Sequence, residues 1–192
     1  MGQIQGVPFL DLKVEIDPLR NDISRILDET ISKSDFVLGP QLHAFEAAFA
    51  DYCECRHCIG VASGTDALLL TLKAAGIGAG DEVITVPNVF IAAVEAIART
   101  GARPVLADVL DTSFTIDPDA VKKAITPRTK AVIPIHLFGQ PSDMESLMEL
   151  AREHGFIVIE DACQAHGATY KGQKVGSLGH AAAFSFYPTK NP

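Results

Sequence analysis

Basic residues and long apolar runs are both scarce in this sequence of 192 residues. Lys and Arg total 16 against 24 Asp and Glu, which gives a formal net charge of -8 at pH 7. No basic cluster interrupts this acidic background, which argues against a nucleic-acid partner. No apolar run approaches the roughly 20 residues that cross a bilayer, and the first residues lack the pattern of a signal peptide. We therefore expect a cytoplasmic protein whose partners include neither nucleic acid nor a membrane.

Cysteine is also sparse, and three of the four cysteines fall within residues 53–58. Thiolates and imidazole bind zinc, so this stretch with His57 raises the question of a metal site. Its spacing matches no common zinc arrangement, and a second ligand pair is hard to find. Cys58 opens an apolar stretch, where a thiol packs as a small hydrophobe, and disulfides are rare in a reducing cytoplasm. We predict no bound metal.

The pattern of apolar residues predicts helices first and then an alternation of strands and helices. Helical spacing predicts two opening helices, over residues 16–31 and 41–52. The predicted strands that follow are 58–62, 82–86, 104–107, 131–135, 156–159 and 181–186, the predicted helices are 65–75, 89–99, 118–124 and 144–154, and a hairpin is predicted over 169–175. This alternation is typical of an α/β fold with a mainly parallel sheet flanked by helices.

Polar residues that follow the predicted strands are the candidate site residues, because ligands of such sheets bind beyond the carboxyl ends of the strands. Gly64 and Thr65 lie in a small polar turn between a strand and a helix, where free N–H groups and the helix dipole suit a phosphate. Helix capping alone also explains such a turn, and explains it better in isolation. The glycines of residues 76–80 follow a helix and precede a strand, the reverse of a dinucleotide-binding motif, and no Walker lysine motif occurs.

Three further candidates follow later strands. Asp161 could keep a heterocyclic nitrogen protonated, or it could cap the next segment while Gln164 satisfies a backbone group. Ser185, near the end of the last predicted strand, and Lys190, in the turn that follows, lie five residues apart, and the apolar, aromatic flanks favour a partly desolvated amine that could form an imine. Phe90 could stack on a flat ring, although core packing explains a single phenylalanine more simply.

Taken in order, these segments resemble the DegT/StrS family of pyridoxal-phosphate-dependent nucleotide-sugar aminotransferases, which have the fold type I, aspartate-aminotransferase-like architecture. The resemblance extends from Pro8 to Lys190. It is carried by residues 8–12, 36–40, 63–68, 80–84 and 136–141, and by the motifs around Asp161 and Lys190.

The resemblance implies a role for each matching residue. The residues expected to bind pyridoxal phosphate are Gly64, Thr65, Phe90, Asp161, Gln164, Ser185 and Lys190. The glycine, threonine and serine would hold the phosphate, the phenylalanine would stack on the pyridine ring, the aspartate would pair with the ring nitrogen, and the glutamine would reach the ring hydroxyl. Lys190, the expected catalytic residue, would form the Schiff base and then shuttle protons. His136 and His166 would line the pocket, with core or capping roles as the alternatives.

The resemblance also implies a function and an organisation. The expected enzyme transfers an amino group, from glutamate, to a nucleotide-linked keto-sugar, with a dTDP-3-keto-6-deoxyhexose as the best match. A lysine at position 190 favours transamination over the dehydratase chemistry of some relatives. A homodimer is expected. Family members are roughly twice this long, so residues 1–192 are expected to be the N-terminal part of the pyridoxal-phosphate-binding large domain, incomplete and without the small C-terminal domain. The alternatives are a truncated, inactive cofactor-binding remnant and a non-catalytic regulatory or interaction module.

Overall fold

The computed structural model describes Gly6 and residues 10–190, in two compact units, Met1–Phe45 and Glu46–Pro192. Residues 8 and 9, the first two of the segment 8–12 noted above, lie outside the described part of the chain. The predicted opening helices are both confirmed as α1 (Lys13–Lys33) and α2 (Pro40–Tyr52). α1 ends where Ser34 adopts a left-handed conformation and the Asp35 N–H bonds to the Thr30 carbonyl at 3.2 Å, a pattern that satisfies the last carbonyls of a helix.

The second unit contains a five-stranded sheet and a small hairpin. The elements are α3 (Gly64–Ala74), β1 (Glu82–Thr85), α4 (Ala92–Thr100), β2 (Arg103–Leu106), α5 (Pro118–Ala124), β3 (Thr129–Val132), α6 (Met144–His154), β4 (Ile157–Asp161), β5 (Thr169–Tyr170), β6 (Gln173–Lys174) and β7 (Ala181–Ala183). The sheet order is β2-β1-β3-β4-β7, and every pairing in it is parallel. β5 and β6 form an antiparallel hairpin. The predicted α/β fold class and hairpin are therefore confirmed.

The sheet is the centre of the hydrophobic core. The strands and the residues just beyond them contribute fully buried side chains, and α3, α4 and α6 pack against them. These buried side chains include Val83, Ile84, Ile133, Val158, Ile159, Leu68, Leu72, Ile97 and Leu147. Burial of each such side chain contributes about 1.5–3 kcal/mol. Strands covered on both faces read as near-continuous apolar runs, which is why the sequence pattern identified them. Within residues 10–190, no helix is both long and apolar enough to cross a bilayer.

Local sequence signals explain the best-predicted helices. α5 begins after Asp117, whose side chain accepts a hydrogen bond from the Asp119 N–H, and Pro118 occupies its first turn. α6 begins after Asp143, which accepts from the Ser146 N–H at 3.3 Å. Both helices have the bounds that the sequence predicts.

One predicted strand is wrong, and three (β1 by one residue, β3 and β7) are shorter than predicted. Residues 58–62 form no strand; the Gly60 N–H instead donates to Glu46 Oε1 at 2.7 Å, so a side chain replaces a ladder partner. β3 stops at Val132, shortly before Pro134, which has no N–H to donate to a ladder. β7 ends at Ala183, so Phe184 and Phe186 leave the sheet instead of extending it.

Candidate active site

The order in which successive strands are added to the sheet changes direction between β1 and β3. β1 is flanked by β2 on one side and β3 on the other, so the loops that follow β1 and β3 diverge and leave a crevice of the kind that binds ligands. Phe90 follows β1 and Phe138 follows β3. Asp161 ends β4, and Ser185 and Lys190 follow β7.

Gly64 packs directly against two other parts of this edge. A Cβ placed on Gly64 would lie 2.8 Å from Cys163 Sγ, closer than real Cβ atoms approach, and 3.0 Å from Ser185 Cβ, which is tighter than most Cβ contacts. Only glycine fits this position without displacing its neighbours. The predicted phosphate turn and the predicted Ser185 are thus brought together, although they are far apart in the sequence.

The start of α3 leaves backbone donors free beside Ser185. Ser63 is the N-cap: its Oγ accepts from the Asp66 N–H at 3.1 Å and donates to Asp66 Oδ2 at 3.0 Å. The capping explanation of this turn therefore holds for Ser63. Among the described residues, no acceptor pairs with the N–H groups of Gly64 and Thr65, as is usual for the first turn of a helix. Capping and anion binding are compatible here, because capping uses Ser63 and the Asp66 N–H, whereas an anion would bind the N–H groups of Gly64 and Thr65.

Asp161 is held at the end of β4 by backbone and side-chain hydrogen bonds. Its N–H donates to the Pro134 carbonyl at 2.9 Å, and its carbonyl accepts from the His136 N–H at 3.0 Å. Its Oδ1 accepts from the Cys163 N–H at 3.1 Å, and the residue is 8% exposed. Burial, together with this carboxylate, raises the pKa of the Cys163 thiol, so Cys163 adds no second negative charge beside Asp161.

Gln164 and Lys190 share a cavity of about 380 Å³, whose other lining residues are Phe138 and Thr189. Gln164 Oε1 accepts a hydrogen bond from the Phe138 N–H at 3.1 Å. This bond fixes the orientation of the amide and leaves Nε2 as a donor. Lys190 is half-buried, and its N–H donates to the Tyr187 carbonyl at 2.8 Å.

His166 lies next to this cluster within an aromatic group. Its ring centroid is 5.3 Å from that of Phe184 and 5.2 Å from that of Phe186, the residues on either side of Ser185. Neither of its ring nitrogens reaches a hydrogen-bond partner in the described part of the chain. Burial lowers the pKa of His166; the Ser185 backbone opposes this effect and the nearby Lys190 ammonium adds to it.

His136 does not line the pocket, which corrects the expectation from the sequence. Its side chain is fully buried, Nδ1 accepts from the Ser142 N–H at 3.1 Å, and Nε2 lies 3.1 Å from Glu160 Oε2. Because Nδ1 accepts a hydrogen bond from the Ser142 amide, Nε2 carries the ring proton and donates a hydrogen bond to Glu160. The core role, which was the alternative, is confirmed.

Glu160 is the residue that sequence analysis missed. It is fully buried and accepts from three backbone N–H groups, of Gly176 at 3.0 Å, Leu178 at 3.0 Å and Gly179 at 2.8 Å. Burial raises the pKa of Glu160, but the hydrogen bonds from His136 and this loop outweigh it and hold the pKa below its usual range. Successive side chains of a strand point to opposite faces of the sheet. Of the two adjacent carboxylates at the end of β4, Glu160 and Asp161, only one can therefore face a site.

Phe90 is not among the residues that line the cavity with Gln164 and Lys190. Its strand, β1, is separated from β4 by β3, and its side chain is 71% exposed. In the cysteine-rich stretch, Cys53 is buried, which raises its pKa to about 11, and Cys55 Sγ lies 3.4 Å from the His57 carbonyl oxygen. No group of three or more His, Cys, Asp or Glu side chains that could hold a metal occurs within the described ranges.

Comparison with known proteins places this geometry in a family. Residues 18–191 match the DegT/DnrJ/EryC1/StrS aminotransferase family. The chain is 50% identical over 185 residues to the dTDP-3-amino-3,4,6-trideoxy-alpha-D-glucose transaminase of Streptomyces venezuelae, covering 96% of this chain and 49% of that protein. It is 47% identical over 191 residues to the UDP-N-acetyl-3-dehydro-alpha-D-glucosamine 3-aminotransferase of Acidithiobacillus ferrooxidans, covering 100% of this chain and 52% of that protein.

Solved structures agree with the sequence matches. The crystal structure of S. venezuelae DesV in complex with a ketimine intermediate superimposes with a TM-score of 0.92 at 49% identity, covering 96% of this chain and 50% of that one. NtdA of Bacillus subtilis, with bound cofactor PMP, gives a TM-score of 0.90 at 38% identity, covering 98% of this chain and 43% of that one. The chain spans about half the length of these relatives. It belongs to the DegT/DnrJ/EryC1/StrS aminotransferase family.

Proposed function

We propose that this chain forms the cofactor-binding part of a pyridoxal-phosphate-dependent aminotransferase that moves an amino group from glutamate to a nucleotide-linked keto-sugar. The observation that carries the proposal is the close packing of Gly64 against Ser185 beside the free N–H groups that begin α3. An anion at that point receives backbone and hydroxyl donors at the positive end of a helix dipole. In a chain with a net charge of -8, such local donors are what an anionic cofactor needs.

The residues present fit pyridoxal phosphate. The backbone N–H groups of Gly64 and Thr65 are available to a phosphate, for which the hydroxyls of Thr65 and Ser185 supply further donors. Asp161 is a buried carboxylate, suited to a protonated ring nitrogen. Gln164 offers the Nε2 donor to a ring oxygen because its Oε1 is already bonded to Phe138. Phe90 is proposed to stack on the ring face.

The chemistry divides between the cofactor and the chain. When bound, pyridoxal phosphate supplies an electron sink and carries the amino group between donor and acceptor. Asp161 would keep a proton on the ring nitrogen. Lys190 would hold the cofactor covalently through Nζ until the amine of the amino acid displaces it, and the freed Nζ would then take the proton from the α-carbon of the amino acid.

The names of the relatives support a 3-keto sugar as the acceptor. The S. venezuelae relative is named for a dTDP-linked 3-amino sugar, as is a transaminase of Aneurinibacillus thermoaerophilus that is 46% identical over 180 residues. The A. ferrooxidans relative is named for a UDP-linked 3-dehydro sugar. We propose a dTDP-linked 3-keto-6-deoxyhexose as the acceptor. We also propose that residues 1–192 correspond to the N-terminal part of the large domain, that the protein is a homodimer, and that it acts in the cytoplasm.

A glutamate half-reaction tests the proposal. The chain is loaded with pyridoxal phosphate and mixed with glutamate, and 2-oxoglutarate is measured in wild type, in Lys190→Ala and in the control Lys122→Ala, which changes an exposed lysine of α5. We expect 2-oxoglutarate from wild type and from the control but not from Lys190→Ala. Equal product from all three would contradict the role of Lys190.

A second function class is favoured by two relatives' names. A Geobacillus stearothermophilus protein, 49% identical over 186 residues, is named a pleiotropic regulatory protein. A Saccharopolyspora erythraea protein, 48% identical over 185 residues, is named the erythromycin biosynthesis sensory transduction protein EryC1. A cofactor-binding regulatory protein without catalysis would take up pyridoxal phosphate and form no 2-oxoglutarate, so the same experiment separates the two classes.

A further inference from the structure

Phe138 is an exposed aromatic residue in an unfavourable backbone conformation. Its φ of 54° and ψ of 25° place it in the left-handed region, which bulky side chains rarely adopt. Its side chain is 84% exposed, so packing within the described chain does not offset the energetic cost of this conformation. Strained residues that persist in this way cluster at ligand sites.

The loop that presents Phe138 is anchored firmly at both ends. His136, on one side, is fully buried and bonded to Glu160. Ser142, on the other, is also fully buried; its N–H donates to His136 Nδ1 and its Oγ donates to the Ile135 carbonyl at 3.3 Å. Between these anchors, the Phe138 N–H donates to Gln164 Oε1. The left-handed conformation is therefore imposed by fixed neighbours, and it directs an apolar ring out of the core.

The cavity beside Phe138 has one apolar wall and several polar groups. Its other lining residues are Gln164, Thr189 and Lys190, which offer an amide, a hydroxyl and an amine. A volume of about 380 Å³ lies within the range of roughly 300–1,000 Å³ for small-molecule sites. A deoxysugar has a matching character, with an apolar C–H face and polar groups at its rim. An amino acid such as glutamate, which carries two carboxylates, has no comparable apolar face.

We infer that Phe138 is a specificity-determining residue that packs against the apolar face of the acceptor sugar ring and has little part in binding the amino donor. This inference rests on the proposed function. It assigns the two substrates different contacts beside the cofactor: Lys190 serves both, and the phenylalanine serves the sugar.

Equilibrium binding of a sugar nucleotide tests this inference. The probes are dTDP-glucose and dTDP, titrated by calorimetry into the chain loaded with pyridoxal phosphate. Phe138→Asn removes the ring, and asparagine tolerates the left-handed conformation, so the variant is expected to fold. We expect dTDP-glucose to bind about five- to tenfold more weakly to this variant, with dTDP binding changed less than about twofold. Phe138→Tyr, which retains an aromatic wall, is expected to recover most of the loss.

Phe114→Asn is a matched control, because Phe114 is also left-handed, with φ 58°, and 57% exposed, but it lies in the turn before α5 and not at this cavity. It should leave dTDP-glucose binding unchanged. The inference is overturned if Phe138→Asn binds dTDP-glucose as tightly as wild type, if it loses dTDP and dTDP-glucose equally, or if wild type does not bind dTDP-glucose more tightly than dTDP. Failure of wild type to take up pyridoxal phosphate, seen by absorbance before any titration, would instead contradict the proposed function.

Discussion

His136 Nε2 donates a hydrogen bond to Glu160 Oε2 at 3.1 Å, with both side chains fully buried. Glu160 also accepts the N–H groups of Gly176, Leu178 and Gly179, so a single carboxylate joins β3, β4 and the loop that leads into β7. The chain beyond β7 carries Ser185 and Lys190. The position of the proposed catalytic lysine therefore depends on a buried anchor that does not itself face the site.

Glu160→Gln is expected to destabilise the fold by about 3 kcal/mol, because an amide N–H₂ would face donors and leave buried N–H groups unpaired. Urea unfolding measures the change. Glu153→Gln, at a side chain that is 63% exposed, is the control, and it should alter the free energy of unfolding by less than about 0.5 kcal/mol. Similar values for the two variants would show that Glu160 is not an anchor.

The same carboxylate predicts a loss of stability in acid. The folded-state pKa of Glu160 lies below its ordinary value of 4.5. Its contribution is therefore complete above about pH 4.5 and is lost as the pH falls through the folded-state pKa, because the unfolded state binds the proton first. Urea midpoints measured from pH 6 down to pH 3 should fall less steeply in Glu160→Gln than in wild type. If the urea midpoints of wild type and Glu160→Gln fell equally steeply, groups other than Glu160 would account for the acid sensitivity.

His166 predicts a second pH effect, in a higher range. Its folded-state pKa lies below the 6.5 of an unperturbed histidine side chain, chiefly through burial. The unfolded state thus takes up a proton first as the pH falls, and stability decreases from about pH 6.5 down to the folded-state pKa. His166→Phe keeps a ring against Phe184 and Phe186 and should remove this decrease, whereas the exposed control His57→Gln should retain it. Thermal melts at pH 7.5 and 5.5 give the comparison, and an unchanged decrease in His166→Phe would contradict the assignment.

Gly64→Ala is expected to weaken pyridoxal phosphate binding by about tenfold, because the new Cβ would push Cys163 and Ser185 away from the start of α3. Cys163→Ala in the same chain removes the atom 2.8 Å away and should recover part of the loss, a coupling that a double-mutant cycle quantifies. Gly78→Ala is the control, since its Cβ would lie 3.6 Å from the Thr100 carbonyl oxygen, an ordinary contact. The affinity for pyridoxal phosphate is measured by absorbance titration. Equal affinities of Gly64→Ala and wild type would contradict the assignment of the phosphate site to this turn.

Much of the fold was predictable because its signals are local. Asp117 with Pro118, and Asp143, mark the starts of α5 and α6 by capping, which depends on residues a few positions away. The predicted strand at 58–62 failed because the Gly60 N–H is taken by Glu46, and nothing in the short apolar run signals that bond.

The sequence names candidate site residues but not their geometry. Asp161, Gln164 and Ser185 could be named as candidates because they lie at or just beyond the ends of predicted buried strands. The contact of Gly64 with Ser185 depends on the order of strands in the sheet. The left-handed Phe138 likewise depends on Gln164, 26 residues away along the chain, and no local pattern specifies a left-handed phenylalanine.

Covalent mapping of the cofactor tests the central claim most directly. The folded chain is incubated with pyridoxal phosphate and reduced with borohydride, which fixes the cofactor to the lysine that holds it, and the labelled peptide is identified by mass spectrometry. The account predicts one dominant label on Lys190, with loss of that label in Lys190→Ala and no loss in Lys122→Ala. A folded sample with no label on Lys190, or with label spread over exposed lysines, would contradict it.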